Sequence, residues 1–166
     1  ELLCSLGQNV MITNFQEYFK LVEYFSEFTK ARMGLAMGVY NLIQIFDEKY
    51  YRHLSGGILE AFGKLFYRDL KVYMYPYRDE EKNEFITSEN LKVHPRMKEL
   101  YKFFKNNGKL IDISDFDQEI FHIFSRKVLK MISEGEEGWQ EMLPEGVAET
   151  IVKKRLFGYS KSRIKT

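Results

Sequence analysis

The sequence predicts an α/β protein, predominantly helical and with few strands, on three observations. The stretch "LKVYMYPY" at 70–77 alternates apolar and β-favouring residues and stops at Pro76, which reads as a strand. A second strand, "KLIDIS" at 109–114, follows a helix that Pro95 opens and Gly108 closes. That order, strand, connection, helix, strand, calls for a right-handed crossover and a parallel pair. Helical periodicity then fills both ends of the chain. At 166 residues and 45% hydrophobic, the chain is expected to fold as a single domain over 1–166 with a sizeable core.

The elements follow in order. Phe15, Tyr18, Phe19, Val22, Phe25 and Phe28 recur every three to four residues, and Thr13 with Gln16 fits a capping box, so a helix is expected from Thr13. The following 30–47 stays helix-compatible, giving an aromatic-rich helical segment over 13–47. Its Gly34 and Gly38 cost about 1 kcal/mol each in a helix interior, which close packing is expected to offset. Their spacing matches neither the dinucleotide fingerprint nor the P-loop.

A mixed α/β segment spans 48–114. In it Gly56-Gly57 reads as a loop feeding a helix over 58–68, "RDEEKNE" at 78–84 as a solvated charge run, and "FITS" at 85–88 as a short strand. Met97, Leu100, Tyr101 and Phe104 share one face of the Pro95 helix. The last third is helical over 117–134 and again over 144–154, starting from Pro144.

Composition excludes several classes. Charged residues make up 30% and nearly cancel to a net +1, which gives no general attraction to nucleic acid or an anionic membrane. One cysteine, Cys4, rules out an intrachain disulfide framework, and His53, His94 and His122 are too scattered for a sequence-local metal motif. No apolar run approaches the roughly 20 residues of a membrane span, and the first dozen residues lack a signal-peptide pattern. No membrane association and a cytoplasmic location are expected. A start at Glu1 rather than methionine suits a piece of a longer protein.

The candidate site lies in "IFSRKVLKMISEG" at 123–135. Two readings are open. One long helix from near Asp115 would carry Ser125 mid-helix, with Arg126 and Lys127 on its wet face. A helix beginning near Ser125 would instead gather unpaired backbone N–H groups, a hydroxyl and two cations, a combination that binds phosphate.

This segment resembles the C-terminal signature of the nicotinate and nicotinamide mononucleotide adenylyltransferases: Ile-Ser-Ser-Thr-x-Ile-Arg, an Ile and a Gly closing the helix, then Val-Pro-x-x-Val-x-x-Tyr-Ile and a terminal Leu-Tyr. Ile123, Ser125, Val128, Ile132 and Gly135 fall on matching positions without a gap, and Leu143, Pro144, Val147, Ile151 and Leu156-Phe157 follow after a slightly longer spacer. Phe124 stands at the first serine, Arg126 at the threonine and Leu129 at the arginine, and the family's His-x-Gly-His motif is absent from this chain.

The resemblance implies a partial Rossmann-like nucleotidyltransferase domain with an N-terminal helical segment and a phosphate-binding-like helical segment over 115–157. It implies ATP and Mg²⁺ as cofactors, a nucleotide as partner, and adenylyl transfer from ATP to a pyridine mononucleotide in NAD biosynthesis. Ser125 carries over as a phosphate ligand, with Arg126 or Lys127 replacing the missing charge. Asp47, Tyr50 and Tyr51 in "IFDEKYY" align loosely with the family's aspartate and its ring-stacking aromatic, so Asp47 and Tyr51 are candidate substrate contacts.

A second class of function is a non-catalytic helical interaction module. The aromatics of 15–28 cover more than one narrow stripe, which suits burial against a second copy or a further domain. In the basic tail, 158–166, and the residues just before it, Lys153, Lys154, Arg155, Lys161, Arg163 and Lys165 alternate with Phe157 and Tyr159. Such interleaving can bind single strands, but a solvated terminus is the expected reading, so nucleic acid is not an expected partner.

Overall fold

The computed structural model describes residues 2–79 and 82–160, apart from the side chains of Leu2, Gln118 and His122. Glu80 and Glu81 of the charge run, and Lys161, Arg163 and Lys165 of the tail, lie outside the described residues. The chain divides into two compact units, Thr13–Phe116 and a discontinuous one made of Glu1–Ile12 with Asp117–Thr166.

The Thr13–Phe116 unit is α/β. Helix α2 (Tyr18–Phe28) precedes β1 (Gly34–Gly38), α3 (Val39–Ile45), α4 (Gly57–Leu65), β2 (Lys71–Tyr75), β3 (Tyr77–Asp79), β4 (Glu84–Ile86), α5 (Lys98–Asn106) and β5 (Leu110–Asp112). The main sheet has the order β1-β2-β5, and both pairings are parallel. This agrees with the parallel pair expected from the 70–114 pattern. β3 and β4 form a separate antiparallel hairpin, with Arg78 opposite Phe85.

Alternation explains the sheet. Val72 and Met74 of β2 are fully buried, and Leu110 and Met37 on the flanking strands join them in a core with Phe19, Val22, Leu42, Phe46, Phe62 and Tyr101. Phe62 stands at the centre of that core, edge-on to Phe46 at 4.9 Å and to Phe104 at 5.1 Å. Successive strand residues point to opposite faces, so Gly34, Ala36 and Tyr73 turn the other way and are exposed.

Two expectations need correction. The helix-compatible run 30–47 is not one helix: residues 34–38 pair in register with β2, Gly34 with Lys71 through Gly38 with Tyr75, and only Val39–Ile45 is helical. Gly34 does serve close packing, but in a strand, since a Cβ there would come within 2.8 Å of the Tyr73 ring, whereas a Cβ on Gly38 would meet nothing within 4 Å. The aromatic helix also begins at Tyr18 rather than at Thr13. The Thr13 hydroxyl accepts the N–H of Phe15 at 3.1 Å, a local turn that competes with helix formation.

The other unit holds α1 (Leu2–Ser5), α6 (Ser125–Glu134) and α7 (Val147–Lys154). Its core is Val128, Met131, Ile132, Trp139 and Ile151, with the Tyr159 ring 6.0 Å from that of Trp139. Gly135 ends α6 in the left-handed region at φ 74°, as its place in the sequence predicts. Among the described residues no helix is long and apolar enough to cross a membrane.

Candidate functional site

Of the two readings of 115–134, the structure takes the second. Asp117 caps a short 3₁₀ turn over Gln118–His122 by accepting the N–H of Glu119 at 2.8 Å, the chain extends through Ile123 and Phe124, and α6 begins at Ser125. Extended backbone at Ile123 and Phe124 separates the 3₁₀ turn from α6, so the first N–H groups of α6 are those of a helix N-terminus. Those groups have no intrahelical partner.

Ser125, Arg126 and Lys127 therefore occupy the first turn of α6, and all three are exposed. No side chain caps this terminus, and no acidic residue stands in its first turn. Neither Arg126 nor Lys127 takes part in an ion pair among the described residues, whereas Lys130, one turn on, leans toward Glu134 at 3.9 Å. Val128, Met131 and Ile132 bury the opposite face and fix the rotation of the helix. Leu129 is 42% exposed.

Asp47 and Tyr51 bracket a single 3₁₀ turn, Glu48–Tyr51, in the α/β unit. Asp47 accepts the N–H of Lys49 at 3.0 Å and pairs with its ammonium at 2.7 Å. That hydrogen-bonded ammonium holds the carboxyl below the usual carboxylate range. Tyr51 is buried, and its hydroxyl donates to the carbonyl of Ile45 at 2.9 Å. Tyr50 keeps its ring exposed under the Lys49 ammonium, 4.7 Å from the centroid.

Tyr50 and Tyr51 border an open concavity of about 360 Å³ that Glu17, Lys49 and His53 also line. His53 stands 3.6 Å from the Glu17 carboxylate, which is also held by Lys20 at 2.9 Å. Sequence reasoning passed over Glu17 because nothing near it forms a motif. The only signal was its position ahead of an aromatic helix.

A third polar group sits beside the end of β5. Ser88, 4% exposed, donates its N–H and its hydroxyl to the two carboxylate oxygens of Asp112, and its carbonyl accepts the hydroxyl of Tyr101 at 2.8 Å. Every group in this trio is satisfied, which makes it a structural clasp. Among the described residues no three His, Cys, Asp or Glu side chains gather to hold a metal ion.

No family model, curated protein or solved structure matches this chain.

Proposed function

We propose that this chain is a nucleotide-binding relative of the nucleotidyltransferases, in which the start of α6 holds the phosphates of ATP. One observation carries the reading: α6 begins at Ser125, so its free N–H groups, the Ser125 hydroxyl and the cations Arg126 and Lys127 share one exposed turn with no carboxylate to neutralise them. An anion at such a terminus gains about 0.3–1 kcal/mol from the helix dipole alone, and charge-assisted hydrogen bonds from Arg126 and Lys127 add to it. The parallel β1-β2-β5 sheet with helical crossovers is an architecture common among nucleotide-binding proteins. Mg²⁺ would arrive bound to the nucleotide's own phosphates. The acceptor in this reading is a pyridine mononucleotide, and the groups that stabilise the transferring phosphate are not carried by α6.

Calorimetric titration with ATP and Mg²⁺ tests it. The expected result is binding in the micromolar to millimolar range that is lost in Ser125→Ala/Arg126→Ala. Leu129→Arg, which restores the charge present in the resembled signature, should tighten binding. Absence of binding by the intact chain would sink the proposal.

An interaction module is the second reading, favoured by one patch. Phe15, Tyr24 and Phe28 are 38%, 40% and 70% exposed, yet their rings lie 5.6 Å and 5.0 Å apart along α2 and its approach. Clustered exposed aromatics of this kind mark contact surfaces. If this patch is functional, an environment-sensitive dye should bind the chain and be released by Tyr24→Ser/Phe28→Ser, while ATP titration shows nothing.

A further inference from the structure

β1 is a sheet edge. Lys71 donates its N–H to the Met33 carbonyl at 3.3 Å, which fixes Met33, Leu35 and Met37 as the residues whose backbone groups turn toward β2. Gly34 and Ala36 then point their N–H and C=O outward, and both are exposed. Natural edges are usually blunted by lysine, proline or a bulge. β1 has none of these: its five residues pair with β2 without a break, and no charged residue occurs between Arg32 and Asp47.

The strand reads Gly34-Leu35-Ala36-Met37-Gly38, which is nearly the same in both directions about Ala36. A two-fold axis through that position, normal to the sheet, makes an antiparallel pair of identical strands. It sets Ala36 opposite Ala36, Gly34 opposite Gly38 and Leu35 opposite Met37. The residues with outward backbone groups are those that fall on hydrogen-bonded positions in this register. Ala36 exchanges both bonds with its counterpart, and the Gly38 N–H meets the Gly34 carbonyl, the Gly38 carbonyl being used by α3.

Side chains agree with the same register. Leu35 and Met37 of both copies stay on the α2 side of the joined sheet, so the apolar row continues across the seam. Beside that seam lies an apolar hollow of about 250 Å³ lined by Leu21, Val22, Phe25, Met33 and Leu35, which a flexible methionine suits. The other face meets only glycine and alanine, and the uncharged seam brings no like charges together.

We propose that two copies of this chain pair antiparallel through β1, about Ala36, to form a continuous six-stranded sheet. The occupant of the edge is thus a second copy rather than a foreign strand.

Sedimentation velocity on the full chain tests this with three variants. The unaltered chain should run at twice 19.8 kDa. Ala36→Lys and Ala36→Glu each put like charges face to face across the axis and should each lose the dimer, while an equimolar mixture of the two should regain it. Ala36→Pro removes only an outward N–H and should also give a monomer. Far-UV circular dichroism checks each fold, and should Ala36→Pro unfold, the charged pair decides alone. A monomeric parent chain overturns the proposal, as does a dimer that survives Ala36→Lys, or a mixture that stays monomeric.

Discussion

Ser88 and Asp112 are joined twice, the Asp112 carboxylate accepting the Ser88 N–H at 2.8 Å and the Ser88 hydroxyl at 2.7 Å across 24 residues of sequence. The bond ties the loop after the β3–β4 hairpin to the last residue of β5, and Tyr101 of α5 closes it from below through the Ser88 carbonyl.

Removing the carboxylate leaves the buried Ser88 N–H and hydroxyl without acceptors. Asp112→Ala should therefore cost about 2–3 kcal/mol, the range for losing hydrogen bonds to a charged group. Ser88→Ala keeps the backbone bond and should cost about 1 kcal/mol. Urea unfolding followed by circular dichroism measures both. Equal costs for the two would show that the backbone bond to Asp112 contributes nothing.

Tyr51 makes the α/β unit sensitive to alkali. Burial, followed by the nearby charges of Glu17 and Asp47, holds its phenol above the ordinary value of 10.0. A group whose folded pKa is raised keeps its full stabilising contribution below the unfolded pKa and loses it as pH rises toward the folded one. Stability should thus decline from about pH 10 upward. Tyr101 is raised in the same direction, by burial and then by Asp112 and Glu89. Tyr51→Phe should shrink the alkaline loss and cost about 1 kcal/mol at neutral pH for the bond to Ile45. Unfolding curves at pH 8 and pH 11 measure this, and an unchanged alkaline slope in the variant would refute it.

Trp139 is the one tryptophan of the chain and is 2% exposed among Val128, Met131, Ile132 and Ile151. Its fluorescence therefore reports on the core that orients α6. Ile132→Ala should shift the fluorescence-monitored transition by about 2–5 kcal/mol, as buried large-to-small changes do. It should also weaken ATP binding if α6 is the phosphate helix, because the helix loses the packing that sets its rotation. Leu129→Ala, on the exposed side, should leave the transition within about 0.5 kcal/mol of the parent.

What was legible in the sequence depended on whether local pattern and tertiary context agreed. β2 and β5 could be read because alternation, punctuation by Pro76 and Gly108, and final burial all point the same way. β1 could not, since leucine, alanine and methionine are good helix formers and nothing in Gly34–Gly38 is β-branched. Its strand state comes from the ladder with β2, 37 positions away in register from Gly34 to Lys71. The start of α6 was half legible: the serine and the cations marked a terminus, but only the 3₁₀ turn capped by Asp117 decides against one long helix. The clasp of Ser88 on Asp112 has no sequence signal, because its partners belong to separate elements.

The division of the chain also bears on the order in which it takes shape during synthesis. Thr13–Phe116 is contiguous, so everything its core needs has left the ribosome before α6 emerges. The unit that carries Ser125 draws on Glu1–Ile12 as well as Asp117–Thr166. Its Glu1–Ile12 segment, with Leu3, Leu6, Met11 and Ile12 exposed, must wait for Asp117–Thr166 before the unit is complete. Glu1–Ile12 is thus made ahead of the Thr13–Phe116 unit yet finds its neighbours only after that unit has emerged, and chaperone occupancy of that stretch during translation should last until Asp117–Thr166 is available.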